Sequence, residues 1–294
     1  MPNSTRGLTA VLASLVLWGL FPLYLRPLHA VATVEVIAQR VVWSCVLILL
    51  WMFAKGQLGQ LRATLANPAL VRRLALTAIL ITINWLTYVY AVANGQILEA
   101  SLGYFINPLI NILLGVFVLS ERLNPVQWVS VGLAAAAVLY LTLMAGSPPW
   151  ISLSVAVSFA LYGFIRKIVA VEALPGLAVE TLLLAPIAAV YLLWREWAGI
   201  GAMGHSGGAI DALLVASGAY TAVPLFLFSY GARLIPYSTV GVVQYLNPSL
   251  QLACGLLVFG EPFGRTRAIG FGLIWAALAI YILDGVWRRA RAAA

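Results

Sequence analysis

Amides, tyrosines and prolines in the middle of long apolar runs are the residues with chemistry to do in this sequence. An amide away from water must find a hydrogen-bond partner, so a mid-run Asn or Gln points to a protein interior or a wet cavity. Asn84 and Tyr88 stand four residues apart, on one face of a helix, with Trp85 beside them. Tyr104 and Asn107 precede Pro108, and Gln244 and Asn247 precede Pro248. A proline inside a helix lacks an amide proton and frees the carbonyl four residues back, here at Tyr104 and Gln244. Pro22 does the same at Trp18. At membrane depth such carbonyls need a partner in protein or a wet cavity. They could receive a substrate ammonium or bend helices for gating. They could equally be plain kinks, satisfied by Asn107 and Asn247 or by neighbouring helices.

Aromatic residues extend this set: Trp18, Tyr162, and, around Pro224, Phe228 and Tyr230. Stacking and cation–π contact suit amphipathic, zwitterionic or aromatic cargo. Trp and Tyr also populate interfacial belts, so part of the set belongs to belts or packing. The candidate substrate contacts are Trp18, Asn84, Tyr88, Tyr104, Asn107, Tyr162, Phe228, Tyr230, Gln244 and Asn247; the candidate gating or kink residues are Pro22, Pro108, Pro224 and Pro248.

Charge within the apolar runs is sparse. Arg40 lies about two turns into the second run, and a pair with Glu35 is conceivable, as is snorkelling to the headgroups. Glu180 has a place similar to Glu35, with Ala185 where Arg40 would be. Glu99 opens the fourth run, where a carboxylate caps a helix or serves as a proton site. Glu121 and Glu261 end the fourth and ninth runs, and each is expected to accept hydrogen bonds from the start of the next helix. Gly132 with Ala136, and Gly272 with Ala276, are small-residue pairs expected to pack closely, within the chain or against a partner. The two histidines, His29 and His205, fall in loops. No His/Cys metal cluster, no nucleophile with a base and no phosphate-binding GxxxxGK[ST] loop is present, so no enzyme, metal, cofactor or direct use of ATP is expected.

These residues are positioned by a chain of 294 residues that is 63 % apolar and 9 % charged. A soluble protein carries about 25 % charged residues, so this chain cannot cover a water-facing surface. Disorder and a cytosolic enzyme are excluded together. The net charge of +8 is spread between apolar runs with no basic domain, which argues against nucleic acid. Cys45 and Cys254 sit inside apolar runs and read as small hydrophobes. Met1 to Thr5 lead straight into the first run, so no cleavable signal is expected.

A span needs roughly 20 apolar residues, and that ruler gives about ten runs. They lie near 7–26, 33–54, 71–93, 97–119, 125–145, 149–167, 177–197, 209–231, 238–259 and 266–287. With the N-terminus inside, Lys and Arg concentrate on the inner side, and only Arg26, Arg195, Arg265 and Arg267 fall outside. This bias places both termini in the cytoplasm. An offset of 140 residues maps Asn107-Pro108 on Asn247-Pro248, Gly115 on Gly255, Glu121 on Glu261 and Gly132 on Gly272. The expectation is an all-α polytopic membrane protein of ten transmembrane helices, as two inverted five-helix repeats (1–147 and 148–294) around a central cavity. Inverted repeats with a midplane site characterise secondary transporters.

The stretch Leu98-Glu99-Ala100-Ser101-Leu102-Gly103-Tyr104-Phe105-Ile106-Asn107-Pro108-Leu109, followed by Gly115 and Glu121-Arg122, resembles the fourth helix of RarD-type proteins, in the EamA-like branch of the drug/metabolite transporter superfamily. Phe164-Ile165-Arg166-Lys167 and Trp275-Ala276-Ala277-Leu278-Ala279-Ile280 are also similar to that family. The resemblance implies export of small metabolites from the cytoplasm across the inner membrane, with amino acids as the leading substrate class. A multidrug, lipophilic-cation or chloramphenicol-type exporter is the alternative. The expected partners are a small-molecule substrate and the lipid bilayer; a monomer is expected, with a homodimer open.

Overall fold

The computed structural model describes residues 3–94, 97–145, 150–258 and 264–293. The described residues form helices and connecting turns, without a strand. The first half holds α1 (Asn3–Gly19), α2 (Phe21–Leu25), a 3-10 turn (Arg26–Leu28), α3 (Thr33–Ala54), α4 (Leu58–Leu65), α5 (Pro68–Ala93), α6 (Ile97–Phe117) and α7 (Pro125–Ala145). The second holds α8 (Trp150–Ile168), α9 (Ala173–Trp197), α10 (Gly208–Leu234), α11 (Tyr237–Gln244), α12 (Leu246–Leu257) and α13 (Arg265–Ala293). Eight helical segments among the described residues are long and apolar enough to cross a bilayer, and Leu102–Phe117 is a shorter apolar helix. Apolar side chains such as Phe53 and Ile187 face outward, about 70 % exposed, as a lipid-solvated surface requires.

Two of the apolar runs are broken helices, and proline is the reason. Pro22 occupies the first turn of α2, where a missing amide proton costs nothing, and the chain breaks at Leu20. Carbonyls at that break are taken by neighbouring helices: the Tyr220 hydroxyl donates to Leu17 O at 2.6 Å and the Cys254 thiol to Gly19 O at 3.8 Å. Pro248 lies in the first turn of α12, just after the break at Tyr245. Pro108, its counterpart by sequence offset, sits inside a continuous α6, and Pro224 inside a continuous α10. The two Asn-Pro sites are therefore alike in sequence and different in backbone.

The helices pair in a recurrent scheme. α3 packs on α9, α6 on α11 and α7 on α13; α1 packs on α10 as α5 packs on α8. Along α7, Val131, Ala134 and Ala137 are buried and Gly132 and Ala136 exposed. At an offset of 140, Phe271, Ile274 and Ala277 are buried and Gly272 and Ala276 exposed. Not every pairing has its counterpart: α5 packs on α6, whereas α10 makes no comparable contact with α11 or α12. α8 packs along α10, whereas α1 and α5 make no comparable contact.

Close approach occurs away from the expected small-residue pairs. Gly132 and Gly272 face outward, with nothing within 4 Å of where a Cβ would stand. Their helices meet through Ala134, Ala137 and Val138 against Phe271, Ile274 and Ala277 instead. Tight crossings occur at Gly218, Gly231 and Gly241; at Gly241 a Cβ would stand 2.6 Å from the Pro108 carbonyl oxygen, so α11 and α6 touch backbone to backbone.

Candidate functional site

A cavity of about 510 Å³ lies between α1–α2, α3, α5, α6 and α11–α12, with Phe159 of α8 and Leu225 of α10 in its floor. That is ample for a small metabolite. Its mouth is at the end carrying Arg26, His29 and Thr33, all exposed. Trp18, Pro22, Asn84, Tyr88, Tyr104, Asn107, Gln244 and Asn247 line it, as do Phe21, Arg40, Trp85 and Gln251.

Polar side chains in the wall brace one helix against another. Asn84 donates to Val155 O at 2.8 Å and to Ser158 Oγ at 3.3 Å, tying α5 to α8. Asn107 donates to Ala156 O at 2.8 Å, so its amide ties α6 to α8 rather than closing over its own kink. Asn111 donates to Asn107 Oδ1 at 3.2 Å and to Gln244 Oε1, joining α6 to α11. Gln251 donates to Asn247 Oδ1 at 3.0 Å. Tyr88 and Tyr104 meet at 6.3 Å between ring centroids.

Three expected contacts stand elsewhere. Tyr162 is buried beneath the floor, with its hydroxyl 3.4 Å from Glu180 Oε2. Phe228 is buried behind Trp18 and Phe159, with ring centroids 5.6 and 5.5 Å away. Tyr230 is turned outward, 38 % exposed and stacked on Phe226. Residues 228 and 230 are two apart, so a helix sends them to different faces. Pro108, Pro224 and Pro248 are buried in their helices and do not border the cavity.

Glu35 and Arg40 do not pair. Five residues on one helix leave them on different faces. Glu35 binds Arg195 at 3.0 Å and accepts the Ala202 amide at 2.7 Å, pinning α3 to the α9–α10 connection. Arg40 turns into the cavity: its Nε donates to Thr221 Oγ1 at 2.8 Å, and its guanidinium lies 4.6 Å from the Phe21 ring centre and 5.2 Å from that of Trp85. Composition marked Arg40 as costly; only the fold says which face it serves.

Beyond the floor the protein is closed by a buried polar cluster. Arg166 is 1 % exposed. Its Nη2 donates to Ala173 O at 2.7 Å, its Nε to Ser229 Oγ at 3.2 Å, and the same Nε lies 3.6 Å from Glu180 Oε1. Thr77 donates to that carboxylate oxygen at 2.6 Å. The cluster gathers α5, α8, α9 and α10, and Lys167 adds bonds of 2.8 and 2.6 Å to Ala232 O and Ile235 O. Glu121 accepts the Tyr237 and Ser238 amides at 2.6 and 2.8 Å. It caps α11 of the other half rather than the following α7, because α11 starts beside the end of α6. Glu261 lies outside the described residues, as does the side chain of Glu99. The sequence carried the parts of this cluster, but there Arg166 counts only as an inner-side cation at the end of the sixth run.

Comparison with known proteins fits this frame. Residues 5–143 match the EamA-like transporter family. An uncharacterized transporter of Pseudomonas aeruginosa is 45 % identical over 98 % of this chain and 97 % of its own. The chain belongs to the EamA-like transporter family. Within it, the protein RarD of Salmonella typhi is 39 % identical over 97 % of each chain. A chloramphenicol-sensitive protein RarD of Pseudomonas aeruginosa is 32 % identical over 99 % of this chain and 97 % of its own. A solved crystal structure aligns over 96 % of this chain and 97 % of its own with a TM-score of 0.70 at 20 % identity, which shows a shared fold. This EamA-like chain is thus a RarD-like member of the drug/metabolite transporter superfamily and a multi-pass membrane protein.

Proposed function

We propose that this protein is a secondary transporter of the inner membrane that exports amino acids or related small metabolites by alternating access. The observation that carries the reading is a cavity open at one end and sealed at the other. In the orientation given by the Lys/Arg bias, with both termini cytoplasmic, the mouth at Arg26 and His29 faces outward and the Arg166–Glu180 cluster closes the cytoplasmic side. The unmatched α8–α10 pairing supports two exchangeable states: α8 and α10 are together on the sealed side while α1 and α5 stand apart. Rocking the halves would close the second pair and part the first. The Arg166–Glu180 contact must then open, which costs several kcal/mol unless water or cargo replaces the partners. A single chain holds the whole cavity, so the working unit is a monomer.

The lining favours cargo with an aromatic or amphipathic body, through Trp18, Phe21, Trp85, Tyr88 and Tyr104. The lipophilic-cation reading needs an acid in the cavity, and among the described lining residues there is none. The test is counterflow in proteoliposomes. Unlabelled amino acids are preloaded one at a time and entry of a labelled one is followed, with and without a pH gradient. Saturable exchange supports the reading and its response to the gradient decides coupling. No exchange across the panel by monodisperse, inserted protein refutes amino acids as cargo.

A further inference from the structure

Arg40 is a permanent cation at membrane depth with no carboxylate paired to it among the described residues. A guanidinium there is costly unless something compensates it. The described acids on its own helix α3 and on the adjoining α9 stretch are committed elsewhere. Glu35 holds Arg195 at 3.0 Å and the Ala202 amide at 2.7 Å. Glu180 lies 3.6 Å from Arg166 and takes the Thr77 hydroxyl at 2.6 Å. Arg40 is nevertheless held firmly. Thr221 spends its own proton on Ser217 O at 2.8 Å and so presents a lone pair to Arg40 Nε. The rings of Phe21 and Trp85 lie against the guanidinium. What remains is the outer edge, Nη1 and Nη2, on a side chain that borders the cavity. A planar fork held along one edge is the geometry that receives a carboxylate through two parallel N–H···O bonds.

We propose that Arg40 is the anion-binding point of the cavity, and that the cargo is recognised by a carboxylate on an apolar or aromatic body. This rests on the transporter reading and names its substrate class. Trp18, Tyr88, Tyr104 and Phe159 take the body of the cargo. An amine on the cargo is optional, because the described lining has no acid to demand one. The cavity thus selects acids and zwitterions over amines.

Four probes of one shape separate these chemistries: phenylalanine, 3-phenylpropionate, phenylalanine amide and phenethylamine. Each is used in counterflow with wild type, Arg40→Lys and Arg40→Gln, and each is also added to detergent-purified protein while its melting is followed. The two carboxylates should exchange and stabilise wild type, and the two amines should do neither. Arg40→Gln should raise the half-saturating concentration of the carboxylates about 10- to 100-fold, the loss of a charge-assisted pair. Arg40→Lys, which keeps the charge and the fold but loses the fork, should fall between. Exchange of the amines on a par with the carboxylates, or carboxylate exchange unchanged in Arg40→Gln, overturns the Arg40 site and leaves the transporter standing. Arg40-dependent stabilisation by carboxylates without exchange keeps the site and overturns the transporter. Neither exchange nor stabilisation overturns both.

Discussion

Replacing Arg166 by Met, Glu180 by Gln, and both together, measures the seal beneath the cavity. The pair is almost fully enclosed, with side chains 1 % and 3 % exposed and 3.6 Å between Nε and Oε1. At an effective dielectric of about 20, two unit charges at that distance attract by about 4.6 kcal/mol. Burial offsets part of this, yet removing one partner leaves the other charged and enclosed, at about 3–5 kcal/mol. Arg166→Met strands the Glu180 carboxylate with Thr77 and Tyr162 as its remaining donors and empties the acceptors at Ala173 O and Ser229 Oγ. It should therefore destabilise the protein by about 4 kcal/mol. Glu180→Gln keeps shape and hydrogen bonding but leaves Arg166 unpaired, at about 3 kcal/mol. The double variant carries no enclosed charge and should lose about 3 kcal/mol less than the sum of the singles. The assay is unfolding in detergent micelles, followed by tryptophan fluorescence against denaturant. A second readout is labelling of Leu225→Cys, in a background lacking Cys45 and Cys254, by an impermeant thiol reagent on the cytoplasmic face. Leu225 is 4 % exposed in the floor, so it reports whether the seal has opened. Additive single effects with no change in labelling would refute the pair as the seal.

Other sites carry separate expectations. Gly241→Ala should cost about 1–3 kcal/mol or force α11 off α6, because its Cβ meets the Pro108 carbonyl, whereas Gly132→Ala should be neutral; the same unfolding assay checks both. Trp18→Ala should impair counterflow at least about tenfold, while Tyr230→Ala, outside the cavity, should leave it unchanged in reconstituted vesicles. In the exposed α9–α10 connection, the Glu196 carboxylate 2.8 Å from His205 Nε2 holds that imidazole above its ordinary range. Its contribution is complete below the ordinary histidine value of about 6.5 and lost as pH rises through the raised one; Glu196→Gln should return the His205 titration, read by NMR, to the ordinary range.

The membrane class, the positions of the apolar runs and several of the residues that line the cavity could be read in the sequence. They follow from local rules: a bilayer sets a length, a helix sets a period and an enclosed amide needs a partner. Asn84, Tyr104, Asn107 and Gln244 could be picked out on that ground, and they do meet at one cavity wall. Which face a residue shows depends on neighbours far along the chain, and there local rules stop. Phe228 stands 140 residues after Tyr88, yet α10 turns it behind the floor and turns Tyr230 outward. Glu35 is near Arg40 along the chain but reaches Arg195, while Arg166, at the end of its run, turns inward to Glu180. Opposite charges pair by distance in space, and 160 residues separate Glu35 from Arg195. Pro108 and Pro248 share a motif, yet one stays within a helix and the other follows a break. The sequence alone thus determined a membrane helix protein with a polar interior; only the tertiary structure decided which polar residues line one cavity, that Arg166 and Glu180 pair beyond its floor, and that Arg40 has no carboxylate paired to it among the described residues, because those properties belong to contacts between helices and not to any helix by itself.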